Sequence, residues 1–223
     1  MIDFALIFDV DGVILNSTSY NKTSIDKLLG TYGFTIADLP DSSNEDWRGR
    51  SLKDILTAAK SKYGVDLDVE TFSRQSGEIS FAMMEADGQL QPDPFLIKLL
   101  KELKNNNIPM GIGSSSRRWR IDHILKIFNL ADYFSVVITA EDVATQKPDP
   151  NIFLTVAERL SVPTNKCIVV EDAPSGIEAA KRAGMKVAGF NGFIKEDLAG
   201  VDLLINNWSD LSYLKLLSLF NYD

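Results

Sequence analysis

The 223-residue sequence contains a single cysteine, Cys167, and a single histidine, His123. One cysteine cannot form an internal disulfide. Cys167 lies in the apolar stretch "CIVV", so it reads as a buried core residue in a reducing cytoplasm, without a nucleophilic part. His123 falls inside a predicted helix, well past the segments that gather chemistry below, and reads as structural. Positive charge is also scarce: 23 Lys and Arg stand against 31 Asp and Glu, for a net charge of -8. That balance argues against nucleic acid as a partner, because phosphate-backbone contacts need clustered cations. A small anionic substrate stays possible, since it needs only a few local cations or backbone donors. No stretch reaches the roughly 18 apolar residues of a membrane span. The start, "MIDFALIFDVDG", lacks the basic opening of a signal peptide and carries acids too early. These absences predict a cytoplasmic protein, monomeric by default, that engages neither membrane nor nucleic acid. The hydrophobic content of 45% is ample for a large core.

What is present begins at "ALIFDVDGVI", residues 5–14. Ala5, Leu6, Ile7 and Phe8 make a continuous apolar run, the pattern of a strand covered on both faces. Two carboxylates follow, and buried carboxylates must be paired or hold a metal. Their i, i+2 spacing puts Asp9 and Asp11 on the same side of an extended backbone. Gly12 then lets the chain turn away. The stretch reads as a strand that delivers two carboxylates to one point.

From about Ser17 to about Asp87 no strand is predicted. Three helical patterns occupy the region: one with Ile25, Leu28 and Leu29 on a face, one starting at Ser51 and stopping at Gly64, and one starting at Asp68 or Val69. From Gln91 onward strands and helices alternate. Strands are expected at 108–113, near 135–139, at "CIVVED", at "KVAGF" and, as an edge, at "DLLIN". Asp93 and Asp149, each followed by proline, read as helix caps, and a last helix is expected from about Ser209. Such alternation predicts an α/β protein with a Rossmann-like parallel sheet. Its core comprises residues 1–15 and 90–223, and an all-helical subdomain, 16–89, is inserted after the first strand.

In open α/β sheets ligands sit beyond the carboxyl ends of the strands. The predicted strand ends carry Asp9 and Asp11; Ser114, Ser115 and Ser116; Lys147 in "KPDP"; and Glu171 with Asp172 before "APSG". Gathered carboxylates need a cation, and oxygen-only ligands favour Mg²⁺. Hydroxyls and backbone N–H groups before a helix suit phosphate, and Lys147 offers a point charge. No Ser–His pair is available, so the candidate nucleophile is a carboxylate. "RRWR", 117–120, reads as helix-surface arginines, commonly just solvated, although able to guide an anion.

In this order "DVDGV", "GSSS", "KPDP" and "VVEDAPSG" resemble the haloacid dehalogenase-like phosphotransferase superfamily. The resemblance is strongest to the subgroup with a helical cap after the first strand, which includes phosphoglycolate and sugar-phosphate phosphatases and β-phosphoglucomutase. The resemblance implies Asp9 as nucleophile and Asp11 as general acid, then base. It implies Mg²⁺ held by the Asp9 and Asp172 side chains and the Asp11 carbonyl, with Glu171 either a direct ligand or standing behind the ligands. Ser114, with Ser115 and neighbouring N–H groups, would grip the phosphoryl oxygens and Lys147 would neutralise charge shared with Asp9. The cap, through Arg48 or Arg50 in "WRGRSL", would touch a small phosphorylated metabolite, opening to admit it and closing against water. The presence of Asp11 favours phosphoryl transfer over dehalogenation. The mutase branch carries a histidine at the position of Asn21, which disfavours that alternative. A phospho-receiver signalling domain is the alternative from another class, disfavoured by the chain length, the helical insert and Asp11.

Overall fold

In a computed structural model the chain is described at residues 4–40, 51–88, 91–193 and 198–220. Strand β1, Ala5–Phe8, forms where the apolar run predicts it and is buried along its length. The chain then enters three helices, α1 (Thr18–Gly30), α2 (Leu52–Tyr63) and α3 (Val69–Ala86). It returns through α4 (Pro94–Asn105) to β2 (Met110–Gly113), α5 (Arg118–Ile127) and β3 (Val136–Ile138). After α6 (Asn151–Leu160), β4 (Cys167–Glu171) and α7 (Pro174–Arg182) come β5 (Lys186–Phe190), β6 (Leu203–Ile205) and α8 (Tyr213–Leu217). All strand pairings are parallel, in the order β3-β2-β1-β4-β5-β6. The chain moves outward from β1 through β2 to β3 on one side and through β4 to β6 on the other. The crevice beyond the carboxyl ends of β1 and β4 is therefore a topological switch point, where such sheets bind ligands.

Two compact units divide the chain: Met1–Leu15 with Gln91–Asp223, and Asn16–Leu90. In the first, alternate side chains of β1 serve opposite layers, as pleating requires. Ala5 and Ile7 join a buried cluster with Ile152, Phe153 and Val156 of α6 and Ile177 and Ala180 of α7. Phe8 instead meets Trp208, whose ring also stacks on Phe190 at 4.5 Å. Each large apolar side chain so buried contributes roughly 1.5–3 kcal/mol relative to exposure. The second unit has its own core, including Leu29, Ile36, Ile55 and Phe72. Helices α2 and α3 start on side-chain caps. The Ser51 hydroxyl accepts from the Asp54 N–H at 3.2 Å, and Asp68 accepts from the Thr71 N–H at 2.8 Å.

Three boundaries differ from expectation. Strand β2 starts at Met110 and not at 108, because Pro109 brings no N–H to the ladder, though its carbonyl accepts from the Leu6 N–H at 3.0 Å. Helix α6 starts after Pro150, and Asp149 accepts from the Asn151 N–H at 3.0 Å. The last expected helix is broken in two. Asp210 accepts from the Asn207 N–H at 3.0 Å and closes the single turn Trp208–Asp210. Ser212 then caps α8 separately, accepting from the Lys215 N–H.

Candidate active site

Asp9 follows β1 directly, and its N–H donates to the Val170 carbonyl at 3.0 Å. Lys147, on the segment between β3 and α6, reaches it from the side. The Lys147 ammonium donates to Asp9 Oδ1 and to Glu171 Oε1, both at 2.7 Å, and lies 4.7 Å from the centre of the buried Phe153 ring. Glu171 ends β4. Its other oxygen, Oε2, accepts from the Asp172 and Ala173 N–H groups, both at 2.8 Å. Both Glu171 oxygens are thus engaged, one by the lysine and one by the turn into α7.

One ammonium serves two buried carboxylates, and this sets the electrostatics. Burial alone would push the Lys147 ammonium down, but Asp9 and Glu171 outweigh it and hold it above its ordinary value, fully charged. For Asp9 the balance runs the other way. Burial pushes its carboxyl up against the pull of Lys147, and Glu171 and Asp11 add to the rise.

Asp11 is held at both oxygens. Oδ1 accepts from Arg120 Nη2 at 2.9 Å, and Oδ2 accepts a hydrogen bond from the Ser116 hydroxyl. Beyond it Gly12 has φ +86°, and a Cβ built there would lie 2.0 Å from Asp172 Oδ2. The Asp172 carboxylate therefore packs directly on the "DVDG" turn, a contact that only glycine allows. Ser114, at the end of β2, is buried. Its N–H donates to the Ile138 carbonyl at 3.0 Å and its hydroxyl accepts from the Ser116 N–H at 3.2 Å. Ser115 is exposed.

Asp9, Asp11, Lys147, Glu171 and Asp172 thus come together at the switch point, with Ser114 on the neighbouring strand end. Arg48 and Arg50 lie outside the described residues. The reading of "RRWR" as solvated needs correction at Arg120, which is only 6% exposed and paired with Asp11. A helical signal marks it in hindsight. Arg120 falls on the same stripe as Ile121, Ile124 and Leu125, all buried. Cys167 is buried, and burial pushes its thiol up to about 12, which removes it as a nucleophile.

Four carboxylates meet two cations here, Lys147 and Arg120, and the donors are all oxygens. Among the described residues no three His, Cys, Asp or Glu side chains form a metal cage. That sparse oxygen set fits Mg²⁺, which keeps its waters, better than Ca²⁺ or Zn²⁺.

Gly176, in the first turn of α7, offers a structural check. A Cβ there would lie 1.7 Å from Glu171 Oε1. Helix propensity by itself favours Gly176→Ala by about 1 kcal/mol. The collision should reverse that sign and cost about 1–3 kcal/mol, read as a lower urea midpoint. A variant as stable as the parent would show that Glu171 is not so confined.

Comparison with known proteins places this geometry. The family model for haloacid dehalogenase-like hydrolases matches residues 6–190. The chain belongs to that family. It is 33% identical to the β-phosphoglucomutase of Bacillus subtilis, over 93% of this chain and 91% of the relative. It is 32% identical to the fructose-1-phosphate phosphatase of Escherichia coli, over 81% of this chain and 92% of the relative. Among solved structures it resembles the β-phosphoglucomutase of Clostridium difficile with a TM-score of 0.80 and 26% identity, covering 99% and 98% of the two chains. Within the family, then, this hydrolase is of the phosphatase and phosphoglucomutase type. Its architecture is a Rossmann-like α/β core with an inserted helical unit. No helix among the described residues is long and apolar enough to cross a membrane.

Proposed function

We propose that this protein is a Mg²⁺-dependent phosphatase that hydrolyses a small phosphorylated metabolite, a sugar phosphate or a phosphoglycolate-like ester, through an aspartyl-phosphate on Asp9. The carrying observation is the Lys147 bridge between Asp9 and Glu171, built beside Asp11 and Asp172 at the end of the central strands. A carboxylate is a weak nucleophile toward an anionic phosphate unless local positive charge offsets the repulsion, and Lys147 is fixed where it does so.

In this reading an Asp9 oxygen attacks phosphorus, and the P–O bond to the leaving group breaks. Asp11 gives its proton to the departing oxygen. Asp11 then takes a proton from water as the water attacks the phosphoryl group on Asp9, which regenerates the free carboxylate and releases phosphate. Ser114 and nearby N–H groups hold the phosphoryl oxygens, with Ser115 contributing its backbone in preference to its exposed side chain. Asp9, Asp172 and the Asp11 carbonyl would hold Mg²⁺, which supplies charge neutralisation to the transferring group when bound. Glu171 is assigned to positioning Lys147, which one of its oxygens holds while the turn into α7 holds the other. Arg50 remains a proposed substrate contact, and specificity is expected to follow residues of the helical unit.

Phosphate release from a panel of sugar and small-acid phosphates is the test. Continuous release with Mg²⁺, falling to background in EDTA, is the expected result. Undiminished activity in EDTA would remove the metal role, and a single phosphorylation without turnover would favour a receiver domain. The second reading, a mutase, is favoured by the likeness to the Bacillus subtilis enzyme. Against it, Asn21 takes the place of the expected histidine, and its Oδ1 accepts from the Ser80 hydroxyl at 2.9 Å as an internal tie between α1 and α3. Isomerised sugar phosphate without phosphate release would decide for the mutase.

A further inference from the structure

We propose that Ser116 and Arg120 form a two-point clamp that positions the Asp11 carboxylate for its proton transfers, an assignment that rests on the phosphatase reading above. An aspartate carboxyl has a broad, roughly two-fold χ2 and does not fix its own plane. A single hydrogen bond leaves that plane free to swing, whereas partners on both oxygens fix it. Asp11 has both: Arg120 Nη2 at 2.9 Å on Oδ1 and the Ser116 hydroxyl on Oδ2.

The two arms come from one piece of chain. Ser116 lies four residues before Arg120, in the turn leading into α5, and Arg120 is in the first turn of that helix. The Arg120 side chain is 7% exposed and that of Asp11 17%. Burying a guanidinium is unfavourable unless a charge partner compensates it, and Asp11 is such a partner. Ser114, the proposed phosphoryl ligand, precedes the clamp in the same strand–turn–helix segment, and the Ser116 N–H donates to its hydroxyl. The grip on the phosphoryl group and the orientation of the proton donor are thus set by one segment. Proton transfer depends on such alignment, because small misplacements of a catalytic group cost large factors in rate. Arg120 and Ser116 are positioning residues in this scheme.

A tie that merely fastened α5 to the "DVDG" turn would affect all substrates alike. A clamp on a proton donor affects those whose leaving group needs the proton. The test therefore compares kcat/KM for an alkyl ester, a sugar phosphate, with that for p-nitrophenyl phosphate, whose leaving nitrophenolate needs little protonation. Arg120→Met and Ser116→Ala are each expected to lower the alkyl value by at least about tenfold, within the range of general acid catalysis, and the aryl value by no more than about threefold. Equal losses on both esters, no loss on either, or a gain on the alkyl ester would overturn the clamp. If Arg120→Met does not fold, as judged by its melting curve, Ser116→Ala decides alone. A parent protein that turns over neither ester overturns the phosphatase reading and the clamp together; an active parent with equal losses in the variants overturns the clamp alone.

Discussion

Asp9→Asn should end phosphate release while making the metal-free protein more stable. The amide cannot form the acyl-phosphate, so turnover is expected to fall by about 10⁴-fold or more, the scale on which loss of a covalent nucleophile is felt. The stability effect has the opposite sign. Burial holds the Asp9 carboxyl above its ordinary 3.8 in the folded protein. Between pH 3.8 and about 7, the value to which burial raises it, the folded state then binds more protons than the unfolded state, and stability falls as pH rises. Ionised Asp9 therefore works against folding at neutral pH, and that penalty fades on acidification toward about pH 4. Asparagine carries no such charge. In EDTA near neutral pH the variant should be more stable by about 1–2 kcal/mol, a rise in Tm of roughly 2–8 °C for a chain of this size. The gap should close as the pH is lowered. Melting curves across that range, paired with phosphate-release assays, read both effects. Retained turnover would remove Asp9 as nucleophile. A variant less stable than its parent at neutral pH would contradict the electrostatic account.

Lys147→Met should lower activity and stability together. The lysine side chain is 6% exposed, and those of its partners are 9% for Asp9 and 2% for Glu171. Removing the ammonium leaves two carboxylates in a poorly solvated place with their shared cation gone. Breaking a buried pair in this way costs about 3–5 kcal/mol, or a fall in Tm of roughly 6–20 °C. Methionine keeps the contact with the Phe153 ring, so the loss reports charge more than packing. The loss of fixed positive charge beside the proposed nucleophile should also lower kcat by at least about 10²-fold. The double variant Lys147→Met, Glu171→Gln separates the two effects. It should recover part of the stability, since one of the stranded charges is gone, and none of the activity. Urea denaturation and phosphate release measure them. A single variant as stable as the parent would show that the bridge contributes nothing to folding.

Sequence reading went further for the fold than for the site. Ala5–Phe8 announced a central strand because unbroken apolar character has one common use in an α/β chain, a strand covered on both faces. The caps at Ser51, Asp68 and Asp93 were legible because their signal is local: a short polar side chain three residues or fewer from the N–H that it satisfies. The end of the chain was misread for a related reason. Asn207 and Ser212 are both good caps, and each starts its own short turn where one helix was expected, with Trp208 packed against Phe8 and Phe190. Asp9, Asp11 and Asp172 stood out because polar groups at the ends of buried strands are conspicuous, and Lys147 through the "KPDP" motif.

By itself the sequence determined the alternation of elements, the four strand ends with their chemistry, and the membership in a phosphoryl-handling family that their order suggested. Which charge meets which was settled only in three dimensions. That Glu171 spends its two oxygens on Lys147 and the turn into α7, and that Arg120 leaves the solvent to hold Asp11, depend on contacts spanning 24 and 109 residues of chain. Ion pairing depends on distance in space and on exclusion of water. Neither is a function of separation along the chain, so the pairing of these charges becomes definite only once the sheet has closed around them.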